Sequence, residues 1–160
     1  MDLLEKYYTL ALRYLQIRQR SEKEIRDYLK KKRASGESID QIVLRLKQHK
    51  FLDDELFAKL WVESRIRTKP RSKWLLQREL KEKGVLQSII EAALLNRTEA
   101  KSDLTLAKEA IERRIARVHD LPKNEIYQKL GGFLARRGFN WETSKRAIDG
   151  LLKEGYNSGE

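Results

Sequence analysis

Apolar residues recur along this chain at steps of three and four, the period of an amphipathic helix rather than the alternation of a strand. Tyr7, Leu10, Ala11, Tyr14 and Leu15 fall at i, i+3, i+4, i+7 and i+8 and predict a helix over 3–18. Ser21 with Glu24 is a capping-box signature for a second helix, with Ile25, Tyr28 and Leu29 inward. Ser38 with Gln41 repeats that signature for a third, whose apolar face is Ile39, Ile42, Val43 and Leu46. Asp53 and Asp54 precede Leu56, Phe57, Leu60, Trp61 and Ser64, where their carboxylates can accept from free helix N–H groups. Ser72 is the predicted cap of a fifth helix, which carries Leu75, Leu76 and Leu80 and stops at Gly84. Ile89, Ile90, Ala93 and Leu94 mark a short sixth helix that fades at Asn96. Thr98 is the predicted cap of a seventh, with Leu104, Ala107, Ile111 and Ile115 on one face. Pro122 suits the first turn of an eighth, which carries Ile126, Tyr127, Leu130, Phe133 and Leu134 to Gly138. Asn140 caps a ninth, with Ala147, Ile148, Leu151 and Leu152 inward, and Gly155 to Glu160 reads as frayed.

A longer period overlies these helices. Leu80 and Leu134 are each followed four residues later by a glycine, Gly84 and Gly138, and then by Val85 and Phe139. Ala93-Leu94 and Ala147-Ile148 stand at the same offsets from those glycines. In the first third, Leu29 opens the same way but reaches glycine only at Gly36, after a longer turn. The expected fold is all-α: an elongated array of three tandem three-helix, helix-turn-helix-like repeats over 1–52, 53–97 and 98–160. Gly131-Gly132 interrupts the eighth helix, and either lets another helix approach closely or bends its own.

Charge narrows the partners. The chain has 160 residues, 35 of them Lys or Arg and 24 Asp or Glu, for a net charge of +11. The excess is largest in residues 1–52 and falls along the chain. Such a balance favours nucleic acid, an acidic protein surface or an anionic membrane. With no cysteine there is neither disulfide nor thiolate metal site, which suits a reducing compartment. No apolar run approaches bilayer length and the N-terminus lacks the pattern of a signal peptide, so an intracellular, soluble protein is expected.

Enzyme chemistry finds no constellation here. His49 and His119 lie far apart without metal-ligand spacing, and no phosphate-cradling glycine motif or nucleophile elbow is present. Neither a catalytic residue nor a cofactor is expected. Asp53 and Asp54 read better as helix caps than as metal ligands. Trp61 shares a stripe with Phe57 and reads as core. Trp141 is expected to pack at the start of the last helix, and Trp74, in a basic neighbourhood, reads equally as exposed or packed. Lys30, Lys31, Lys32 and Arg33 close one helix, where cations complement the dipole. Arg65, Arg67, Lys69, Arg71 and Lys73 recur at every second position across a connector, and Arg136 and Arg137 end another helix. Together with the net charge, these residues suggest a surface that faces phosphates or an acidic protein.

Three stretches then carry a family resemblance. The first is Ala11-Leu12-Arg13-Tyr14-Leu15 with Arg20-Ser21-Glu22, Glu24-Ile25 and Leu29. The second is Leu52-Asp53-Asp54-Glu55, Phe57-Ala58, Trp61-Val62 and Ser64-Arg65, with Lys83-Gly84-Val85. The third is Phe133-Leu134-Ala135-Arg136-Arg137-Gly138-Phe139. Over nearly its whole length the chain resembles the bacterial RecX regulatory proteins. Pro70-Arg71-Ser72 departs from their pattern, which commonly has a glycine nearby. The resemblance implies three tandem three-helix units and a cytoplasmic, monomeric regulator of homologous recombination, DNA repair and the SOS response. Its partners would be the RecA filament and single- and double-stranded DNA, met directly or through RecA. Family members lodge in the filament groove and inhibit ATP hydrolysis, strand exchange and repressor cleavage. The alternative left by the residues themselves is an autonomous basic helical protein that coats DNA or RNA.

Overall fold

The computed structural model describes residues 2–98 and 101–157, which form nine α-helices and no strand. In chain order they are α1 (Leu3–Ile17), α2 (Glu22–Lys31), α3 (Gly36–Gln48), α4 (Asp54–Thr68), α5 (Lys73–Glu82), α6 (Gln87–Thr98), α7 (Asp103–Val118), α8 (Lys123–Arg136) and α9 (Trp141–Asn157). They gather into two compact units, Met1–Trp61 with Glu79–Ala93, and Val62–Arg78 with Leu94–Glu160. The division falls inside α4, α5 and α6, so each of these helices contributes residues to both units.

Local chemistry sets most helix starts. Ser21 Oγ accepts the Glu24 N–H at 3.2 Å and Glu24 reaches back to the Ser21 N–H at 3.0 Å, completing the capping box of α2. Asp53 accepts from Glu55 and Leu56, Ser72 from Leu75, and Asn140 from Thr143. Two expected caps lie elsewhere. Ser35, not Ser38, caps α3: its backbone is extended, its Oγ accepts the Ser38 N–H, and Gly36 and Glu37 join the first turn. Ser102, not Thr98, caps α7, because α6 continues through Asn96 to Thr98. Pro122 stands just before α8, with extended backbone, rather than within its first turn. At the C-terminus α9 continues helical to Asn157, and 158–160 lie outside the described residues.

In the first unit Tyr7, Tyr8 and Ala11 of α1 close against Ile25 and Leu29 of α2 and Ile39, Ile42, Val43 and Leu46 of α3. The buried stripe of α4 is Phe57, Ala58, Val62 and Ile66, while Leu56 and Leu60 of the expected stripe are exposed. In the second unit α7 packs along α9 and both pack on α8, burying Leu106, Ala107, Ile111, Ile126, Leu130, Leu134 and Ile148. Gly131 belongs to this packing. A Cβ there would stand 3.0 Å from the Trp141 ring, so the glycine admits the start of α9, and α8 runs unbroken through the pair.

Two joints are built alike, one in each unit. In the first, Ser21 Oγ donates to the Lys83 carbonyl at 2.7 Å and the Glu22 N–H donates to Asp54 at 2.8 Å. In the second, the Ser72 N–H donates to the Arg137 carbonyl at 3.0 Å and the Lys73 N–H donates to Asp103 at 3.0 Å. In both, the capped start of a helix sits against the last turn of a later helix. In both, the aspartate that opens another helix takes up a free N–H, as an anion at a helix N-terminus should.

The receiving turn explains the glycines. Gly84 and Gly138 are left-handed, with φ 75° and 84°, and the residues after them bond back to Leu80 and Leu134. A Cβ on Gly84 would fall 2.6 Å from Lys23 Cβ, and one on Gly138 would fall 2.5 Å from Ser72 Oγ. The matching turn in the first third ends at Arg33, with φ 66°, and Ala34 bonds back to Leu29. The counterpart of the two glycines is therefore Arg33, not Gly36. Arg33 is exposed, so it bears the backbone cost of a left-handed residue without a steric one.

Candidate basic interface

The predicted basic residues separate into two settings. Lys30, Lys31, Lys32 and Arg33 are exposed at the end of α2 in the first unit. The Lys32 ammonium lies 5.5 Å from the Tyr28 ring centre, and the Arg33 carbonyl accepts from the Tyr7 hydroxyl. Lys30 lines a cleft of mixed charge, in which Glu22, Asp27, Asp53, Asp54 and Glu55 face the cations. Two cations there are paired: Arg26 with Glu22 at 2.9 Å and Asp40 at 2.7 Å, and Lys47 with Glu22 at 2.5 Å. Hydrogen bonds from Lys47 and Arg26 outweigh the effect of burial and hold the Glu22 carboxyl below its ordinary range.

The other predicted residues, from Arg65 to Lys73 with Arg136 and Arg137, all belong to the second unit. The expected connector is shorter than the basic run. Arg65 and Arg67 lie inside α4, Lys73 begins α5, and only Lys69–Ser72 link the helices. Nor is the run evenly exposed: Arg67, Lys69 and Lys73 face solvent, whereas Arg65 and Arg71 are half-buried. The structure brings three of these residues together. Burial, then the nearby charges of Arg65 and Arg137, lowers the Arg71 guanidinium from its usual range. Burial, then Arg114 and Arg136, does the same to Arg137.

Arg137 also lines an open cleft of about 890 Å³ with Arg67, Lys101, Arg113, Arg114 and Arg117; Glu63, Glu109 and Glu112 are its carboxylates. Lys101 is spent on Glu109 at 2.7 Å. Among the described residues Arg67, Arg113, Arg114, Arg117 and Arg137 form no ion pair. Phe133 supports two of them, with the Arg114 and Arg137 guanidinium carbons 4.0 and 4.9 Å from its ring centre. A guanidinium over an aromatic face is attracted by the ring quadrupole and loses rotamer freedom before any ligand arrives. This cleft is therefore an array of partly fixed cations in excess of the carboxylates that line it.

Reading the sequence missed Lys101, Arg113, Arg114 and Arg117. The signal was present: Ala110, Arg113, Arg114 and Arg117 form one helical stripe on α7. The tryptophans divide as well. Trp61 is half-buried against Phe57, and its indole N–H donates to Glu79 at 2.9 Å. Trp74 is 58% exposed, and so is Trp141, despite its contact with Gly131.

Sequence models of one family match three parts of the chain: the first three-helix domain of RecX over 8–46, the second over 53–94 and the third over 102–148. A protein called Regulatory protein RecX in Pelodictyon phaeoclathratiforme is 31% identical over 95% of this chain and 92% of its own length. The protein of that name in Bacillus pumilus is 33% identical over 99% of this chain, but the match spans 59% of that longer protein. The one in Oceanobacillus iheyensis is 47% identical over 58% of this chain and 34% of its own length. The crystal structure of RecX from Lactobacillus salivarius has the same fold, with a TM-score of 0.73 at 22% identity, covering 92% of this chain and 96% of that one. These matches run through all three thirds of the sequence, and the chain belongs to the RecX family of regulatory proteins.

Proposed function

We propose that this protein is a non-catalytic regulator of DNA recombination and repair that binds the RecA–DNA filament in its groove. On this reading it lowers RecA ATP hydrolysis, strand exchange and coprotease activity during the SOS response. It works in the cytoplasm as a monomer, and 1–52, 53–97 and 98–160 act as successive three-helix units along the filament. Family membership supplies the target. The single structural observation that supports the mode of action is the gathering of Arg67, Arg113, Arg114, Arg117 and Arg137 along one cleft of the second unit. An excess of cations along one cleft favours a polyanionic or acidic partner.

Charge reversal at Arg67, Lys69 and Arg71 tests this reading. The triple variant, checked for folding by its thermal melt, is expected to inhibit RecA ATPase at least tenfold less well. Its inhibition is expected to depend less steeply on salt. Inhibition equal to that of the unaltered protein would show that these residues make no contact. A basic protein that merely coats DNA would instead bind oligonucleotides tightly and leave RecA turnover unchanged once DNA is in excess.

A further inference from the structure

We infer that the α7-lined cleft of the second unit seats phosphodiester groups of a nucleic-acid strand, with Arg113, Arg114 and Arg117 as its principal cations. The inference deepens the proposed function and rests on it for its biological setting, since a regulator of a nucleoprotein filament could take hold of protein, nucleic acid or both.

Three observations favour phosphates. First, the cleft is about 890 Å³ and open, far more room than one carboxylate side chain would fill. Second, its principal cations are arginines of one helix, α7. Residues three and four apart on a helix have Cβ atoms roughly 5–6 Å apart. Arg113, Arg114 and Arg117 therefore offer several guanidinium forks in a row, suited to two-point contacts with phosphate oxygens. Third, the cations are crowded. Arg114 and Arg137 both rest on one aromatic ring, and Arg137 carries the added repulsion of Arg114 and Arg136. An acidic protein surface brings scattered carboxylates among its own cations. A nucleic-acid strand brings a negative charge at every nucleotide with no positive charge between, and so offsets the repulsion along the whole stripe.

The test uses the full chain and a fluorescein-labelled single-stranded oligonucleotide of twenty thymidines, followed by anisotropy at two salt concentrations without RecA. The variant is Arg113→Gln with Arg117→Gln, both exposed, so folding is spared. The control is Lys145→Gln with Arg146→Gln, an equal loss of charge at exposed positions of α9. The α7 pair is expected to weaken binding at least tenfold and to flatten the salt slope by about 2, one for each lost phosphate contact. The control pair is expected to weaken it less than twofold. Equal losses from both pairs would overturn the assignment, because net charge alone would then explain binding. So would unchanged oligonucleotide binding by the α7 pair with loss of RecA inhibition, which would give the cleft to an acidic protein. If the unaltered protein leaves RecA untouched while the α7 pair still loses oligonucleotide binding, the proposed function fails and the phosphate seat stands.

Discussion

Glu24 serves three cations and a backbone group at once. Arg18 lies at 2.6 Å, Lys83 at 3.0 Å and Arg20 at 3.8 Å, while the same carboxylate closes the capping box on Ser21. Burial by itself would raise this carboxyl, but hydrogen bonds from Arg18, the Ser21 N–H and Lys83 outweigh it and hold the group at about 2. Because the folded state depresses the value, the stabilisation is complete above the ordinary glutamate range. It is lost as pH falls from about 4.5 towards 2. Glutamine keeps the capping box and removes the charge. Glu24→Gln should therefore cost about 1.5–3 kcal/mol at pH 7, and the gap should close near pH 2. Urea unfolding across that pH range measures it, and a gap that does not change with pH would contradict the account. Asp54 has the opposite sign. Burial raises its carboxyl despite the Glu22 N–H, so mild acid relieves it rather than loosening the fold.

Among the elements, the turns that end α2, α5 and α8 share one backbone and differ in what rests on them. Gly84 and Gly138 each meet another helix start at a distance no Cβ allows, whereas Arg33 is open to solvent. Gly84→Ala and Gly138→Ala should each cost at least about 1–2 kcal/mol, the left-handed cost alone, with displacement of Lys23 or Ser72 added to it. Arg33→Gly should instead stabilise by about 1 kcal/mol. Thermal melts of the three variants decide this, and a destabilised Arg33→Gly would mean that the side chain holds the turn. Helix number and most inward faces were legible because period and capping chemistry are local. The cap of α3 was not, because Ser35 and Ser38 are both competent and only the folded turn chooses between them. The exposure of Leu56 and Leu60 was not legible either, since Phe57, Ala58 and Val62 offer an equally apolar stripe one residue on. Arg33 stayed hidden because a glycine three residues later looked like its substitute.

For the molecule as a whole, net charge pointed to an acidic partner, and its distribution drew attention to the N-terminal part of the chain. The N-terminal third has the larger excess, and part of it is offset across helices, where Arg26 of α2 pairs with Asp40 and Lys47 of α3 pairs with Glu22, contacts that no sequence spacing reveals. The second unit gathers cations from α4, α7 and the end of α8 into one cleft and leaves five arginines there without carboxylate partners among the described residues. Those contacts join residues tens of positions apart, so the candidate site was only half legible. The run from Arg65 to Lys73 was visible as a cluster along the chain. The stripe from Arg113 to Arg117 needed the fold to set it beside Arg67 and Arg137. Whether the protein regulates RecA is decided by titrating it into a DNA-dependent ATPase assay of the cognate RecA at fixed DNA. RecA turnover is expected to fall as the protein is added, with no ATP hydrolysed by the protein itself. Undiminished RecA turnover at stoichiometric amounts of folded protein would contradict the proposed function.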